Sequence, residues 1–126
     1  MIETVFTKNA PAAIGPYSQA MKVDNFLFTS GQIPVDPSTN EVVSGGILEQ
    51  TEQVMKNLEA VLKEAGTSFE NVVKTTCFIT DMTNFTNFNT IYEKYFSSNK
   101  PARSCVAVKE LPKGVLCEVE IIACIK

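Results

Sequence analysis

The stretch VLCEVEIIACI, Val115 to Ile125, decides how the chain is read. Side chains alternate across a strand, so Cys117, Val119, Ile121, Ala123 and Ile125 share one face. That face is wholly apolar and calls for a covering layer. Glu118, Glu120, Ile122 and Cys124 share the other face, which mixes two carboxylates with apolar groups. A strand of this kind belongs to a sheet with helices on one side and either water or a partner on the other.

Working outward, the segment Arg103 to Leu111 reads as a strand that precedes it, with a turn at Pro112-Lys113-Gly114 between the two. Pairing across that turn would bring Arg103, Cys105 and Ala107 onto the open face with Glu118 and Glu120. Asn71 to Thr80 (NVVKTTCFIT) is β-branched and aromatic, as strands are. Thr4 to Asn9 reads as a short first strand. Tyr17 to Val23 and Phe26 to Ser30 read as a hairpin around Asp24-Asn25. Gly31 to Gly46 reads as a long loop with turn chemistry at Pro37 to Asn40.

Two segments carry helical periodicity. In Ile47 to Ala65 the residues Val54, Leu58, Val61, Leu62 and Ala65 form one stripe, and Gly66 supplies the stop. Asn84 is placed to cap a second helix running through Phe96, with Phe85, Phe88, Tyr92, Tyr95 and Phe96 as an aromatic stripe that reads as core. The order is β-β-β-α-β-α-β-β. It predicts an α+β two-layer sandwich, a six-stranded sheet with both helices on one face. Residues 1–126 form a single domain, and the open face of the sheet is expected to meet other copies of the chain.

Composition narrows the function. The chain has 14 acidic and 11 basic residues, a net charge of −3 and no histidine. This balance argues against nucleic acid as a standing partner. No apolar run is long enough to span a bilayer, and the first residues lack the pattern of a signal peptide, so a cytosolic location is expected. The four cysteines form no CxxC pair, and without histidine no zinc site is expected. Cys77, Cys117 and Cys124 read as small hydrophobes, and Cys105 is left open.

Ten lysines and one arginine, Arg103, carry the positive charge. A guanidinium can hold a carboxylate through two parallel hydrogen bonds. Two readings stand side by side: a structural ion pair between Arg103 and Glu120, or a site where Arg103 awaits the carboxylate of a ligand.

Four blocks, NAPAAIGPYSQA (Asn9 to Ala20), TSGQIPVDP (Thr29 to Pro37), KTTCFITDM (Lys74 to Met82) and PARSCVAV with LPKGVLCEVE (Pro101 to Val108, Leu111 to Glu120), resemble the RidA family, also called YjgF or L-PSP. The resemblance covers essentially the whole chain. It implies a chorismate-mutase-like fold assembled as a homotrimer around a central barrel, with sites between subunits. It implies hydrolysis of reactive 2-imino acids, the products of PLP-dependent dehydratases, to 2-keto acids and ammonia, without a cofactor or metal of its own. Residue by residue, Arg103 matches the carboxylate-binding arginine, Glu118 the water-positioning acid and Tyr17 the tyrosine at the cleft mouth. Cys105, Ser30, Gly31 and Asn89 match further substrate-binding positions. The short connection Ser97 to Lys100 departs from the family pattern at the cleft rim. Some relatives are described as translation inhibitors with endoribonuclease activity, and a non-catalytic trimer that binds small carboxylates is a third reading.

Overall fold

A computed structural model describes residues 1–126. Its strands are β1 (Ile2–Val5), β2 (Ala20–Val23), β3 (Phe26–Thr29), β4 (Val35–Asp36), β5 (Glu41–Val42), β6 (Val72–Ile79), β7 (Ala102–Ala107) and β8 (Cys117–Cys124). Its helices are α1 (Ile47–Ala65) and α2 (Phe85–Tyr95). Six strands form one sheet in the order β1-β2-β3-β8-β6-β7, and β4 and β5 form a small separate hairpin. Both helices lie against one face of the large sheet, so the two-layer expectation is met. No helix is long and apolar enough to cross a membrane.

The helix α1 forms as its stripe dictates. Val54, Leu58, Val61, Leu62 and Ala65 are all buried, and Gly66 ends the helix in the left-handed conformation at φ 86°. The apolar face of β8 is buried from Cys117 to Ala123 beneath this layer. Truncating Leu58 or Leu62 to alanine in such a core costs roughly 2–5 kcal/mol.

The C-terminal hairpin expected around Pro112 does not form. Instead β7 pairs in parallel with β6, and β8 pairs antiparallel with β6 on its other side and with β3. The β6–α2–β7 segment is a crossover, which returns the chain to the sheet in the same direction, as a helix between strands does. Pro112 to Gly114 is a single helical turn within the connection from β7 to β8, which passes over to the far side of β6 instead of closing a hairpin.

This topology moves Arg103. Thr75 is aligned with both Arg103 on β7 and Ile121 on β8, and Thr75 and Ile121 are buried beneath the helices. Arg103 and Cys105 therefore point to the helix side. Glu118 and Glu120 are aligned with Phe78 and Thr76 on the opposite, open side. The expected sharing of one face by the arginine and the two glutamates is thus overturned.

Smaller differences have local causes. The first strand is Ile2–Val5 rather than Thr4 to Asn9, because the Gln19 side chain takes the Thr7 N–H at 2.7 Å and draws the chain out of the ladder. The second strand starts at Ala20, since Ser18 and Gln19 are engaged with Ser30. The loop from Gly31 to Gly46 contains the β4–β5 hairpin. Asn84 precedes α2 but makes no capping bond. Asp81 accepts from the Thr83 N–H in the turn before it. The aromatic stripe of α2 is core at Phe88 and Phe96, as expected.

Candidate active site

The expected site residues fall into two groups. The first is built on the edge strand β7 and on α2. Phe85, Asn89 and Tyr92 lie four and three residues apart, so they share one face of α2. Asn89 Oδ1 accepts a hydrogen bond from Arg103 Nη1 at 2.6 Å. The guanidinium carbon lies 4.7 Å from the centre of the Tyr92 ring and 5.3 Å from that of Phe85. Tyr92 is itself tied to β6, with its hydroxyl 2.8 Å from Thr75 Oγ1. Arg103 opens onto a cleft of about 480 Å³, also lined by Glu93, Phe96, Lys100 and Pro101.

No carboxylate pairs with Arg103. The ion pairs of the chain are Met1 amino terminus with Asp24 and Lys94 with Glu52. The structural Arg103–Glu120 pair is therefore absent, and the guanidinium keeps its capacity for a ligand carboxylate. Cys105 follows two residues on, half-buried and aligned with Cys77 on β6. Burial raises the Cys105 thiol, against a smaller opposing pull from Arg103, and burial pushes Cys77 up to about 12. Both stay protonated thiols at neutral pH, which counts against either as a nucleophile.

The second group lies on the far side of the sheet. Phe28 aligns with Ile122, and Gln32 bridges to Val119, so the chain after β3 holds one residue more than β8 in the same interval. This bulge swings Ser30 and Gly31 over β8. A Cβ at Gly31 would stand 2.6 Å from Glu118 Cδ and 2.9 Å from Cγ, so only glycine leaves room for the carboxylate there. Ser30 is fixed by its hydroxyl, which donates to the Ser18 carbonyl at 2.6 Å. Tyr17 is 54% exposed and shares a cleft with Gly31, Ile14, Ile33 and Lys113. Glu118 is half-buried. Burial raises its pKa first, and the neighbouring Glu120 raises it further.

Tyr17, Ser30, Gly31 and Glu118 thus come together, as do Arg103, Asn89 and Cys105. The two groups do not meet within one chain. The backbones of β7 and β8 are two strand spacings apart, about 10 Å, and their key side chains point to opposite faces. Sequence reasoning assigned Tyr92 and Phe85 to the core and missed that they floor the arginine. The signal was present: a polar Asn89 set among aromatics on one helix face is out of place in a core stripe.

The chain resembles known proteins along nearly its whole length. A family model described as endoribonuclease L-PSP matches residues 7–125. The chain is 53% identical over 123 residues to a RutC family protein of Pyrococcus horikoshii, covering 98% of each. It is 50% identical over 119 residues to human 2-iminobutanoate/2-iminopropanoate deaminase, covering 94% of this chain and 87% of the human one. Among solved structures, Escherichia coli TdcF with bound serine superposes with a TM-score of 0.93 at 40% identity, covering 97% of this chain and 98% of that one. From the extent of these matches, together with the fold and the two residue groups, the chain belongs to the endoribonuclease L-PSP family, the Rid proteins among which imine deaminases are found.

Proposed function

We propose that the protein is an imine deaminase that hydrolyses small 2-imino acids to 2-keto acids and ammonia in sites formed between copies of the chain. The observation that carries the reading is the division of the site: an unpaired arginine and an unpaired, half-buried glutamate on opposite faces of one sheet. A second copy set against the first would supply the missing half. The open face supports such assembly, since Ile2, Phe26, Phe28 and Val106 are each at least 43% exposed there. A homotrimer is the assembly we assign.

Arg103 clamps the substrate carboxylate and fixes the imine carbon. Its Nη1 is engaged by Asn89, so the remaining N–H groups are free for two parallel bonds. Glu118 takes a proton from water as the water oxygen bonds to the imine carbon. It then returns that proton to nitrogen, giving a carbinolamine, and carries the new hydroxyl's proton to the same nitrogen, so that the C–N bond breaks with ammonia leaving and the keto group forming. A carboxylate held above its ordinary pKa gives and takes protons more readily near neutrality. Tyr17 closes the cleft, Ser30 and Gly31 shape the pocket around Glu118, and the backbone at Cys105 contacts the substrate. The human relative bears the name of this activity, and the TdcF structure holds a small amino acid.

The test couples threonine dehydratase to this protein, with semicarbazide trapping free imine. Wild type should divert imine to 2-ketobutyrate. Arg103→Ala should lower kcat/KM at least about 100-fold, the equivalent of two charge-assisted hydrogen bonds. Glu118→Gln should keep 2-ketobutyrate binding and lose turnover by roughly 10²–10⁴. Binding without turnover in the wild type would leave a carboxylate-binding protein. RNA cleavage by nuclease-free protein, abolished in Arg103→Ala and unaccompanied by diversion of imine, would favour the activity in the family's description.

A further inference from the structure

An arginine on an exposed edge strand has several rotatable bonds and loses freedom when it grips a ligand. Here that freedom is largely removed beforehand. Asn89 holds Nη1 at 2.6 Å, and the rings of Tyr92 and Phe85 lie against the guanidinium at 4.7 and 5.3 Å. The Tyr92 ring is in turn fixed at its far end by Thr75, the residue aligned with Arg103 on the adjacent strand. Arg103 and its floor are thus anchored to one another through β6. A leucine could fill the same core space with no polar group to satisfy, whereas the buried Tyr92 hydroxyl needs a partner and finds it in Thr75, which fixes where the ring stands.

We propose that Tyr92, braced by Thr75 and flanked by Phe85, is a positioning residue that presents Arg103 in its carboxylate-reading orientation. The proposal deepens the function assigned above and rests on the role of Arg103 in it. The cation–π contact supplies the orienting force, and the Thr75 hydrogen bond sets where the ring stands. Thr75 is fully buried, out of a ligand's reach, and Tyr92 acts through Arg103 without exchanging a proton with substrate.

The sole arginine of the chain makes the test direct, because arginine labelled with ¹⁵N yields one guanidinium set in the spectrum. In the intact wild-type assembly the two Nη groups should be resolved, and their protons shifted by the ring currents of Tyr92 and Phe85. Tyr92→Leu should collapse the Nη signals toward one averaged position and remove the shift. The same variant should weaken 2-ketobutyrate binding about 5-fold, the fold-change to which a contact of this kind converts, while leaving the binding of 2-ketobutyramide unchanged. Tyr92→Phe keeps the ring but frees it from Thr75, and should show the shift reduced with partial averaging. Thermal melts establish that each variant is folded. If Tyr92→Leu does not fold, Tyr92→Phe decides alone. A guanidinium spectrum unchanged in the folded variants overturns the proposal. A wild type that does not bind 2-ketobutyrate overturns the function assigned above, and the spectrum still decides whether Tyr92 orients Arg103.

Discussion

At Glu118 two causes act in the same direction. Burial disfavours its charged form, and Glu120 two residues along the same face adds a like charge. As a base it must be ionised, so activity should rise with pH along a limb set above the ordinary carboxylate range. Glu120→Gln removes the like charge and should move that limb to lower pH, measured as the pH profile of kcat/KM. Stability follows the same sign. A folded-state pKa above the unfolded value means that stability present in acid is lost as pH rises through the folded pKa. Glu118→Gln should therefore raise Tm in neutral buffer and change it little in acid below the carboxylate range. The roles proposed for Arg103 and Glu118 rest on residue type, since fork and carboxylate are chemistry the letters carry. That Gly31 makes room for Glu118 was not legible in the sequence, because the contact depends on one extra residue in a bulge between two distant strands.

Among the elements, those specified by their own periodicity were read correctly, and α1 is the plain instance. Its stripe and its glycine stop are local, and the structure follows them residue for residue. The pairing of β7 was misread for the converse reason. A strand's alternation states which side chains share a face and is silent about which strand lies beside it. Pro112 and Gly114 suggested a hairpin, while β6 and β7 met in parallel through the α2 crossover. The N-terminal loop depends on a single side chain. Gln19 takes the Thr7 N–H and donates to the carbonyls of Thr7, Ala10 and Pro11 at 2.8–3.3 Å. Gln19→Leu strands buried donors and acceptors, and should cost roughly 2–3 kcal/mol in urea unfolding. Amide exchange should speed first between Thr7 and Tyr17, and the cleft mouth should loosen with it.

For the whole molecule, the placing of Arg103 and Glu118 on opposite faces makes the assembly testable by mixing. Arg103→Ala and Glu118→Gln proteins should each be inactive. Reassembled together at equal amounts, they should recover about a quarter of wild-type activity, because in a head-to-tail ring a random junction joins an intact arginine to an intact glutamate that often. No recovery on mixing would mean that both residues act from one chain. What the sequence did carry is the mixed face of β8, apolar and charged groups together on the side without helices, whereas a number of copies is a property of surfaces that no local pattern encodes.

The position of β8 also bears on how the protein comes into being. It is the last of the eight strands to be synthesised, yet it lies in the middle of the large sheet, between β3 and β6. Until it leaves the ribosome, the sheet consists of two unconnected ribbons, β1-β2-β3 and β6-β7, and the core beneath the helices lacks Cys117, Val119, Ile121 and Ala123. Synthesis at about 5–20 residues per second makes that interval seconds long. A nascent chain stalled before Cys117 should be readily cut by protease and retained by chaperones, and one released past Cys124 should become resistant in a single step.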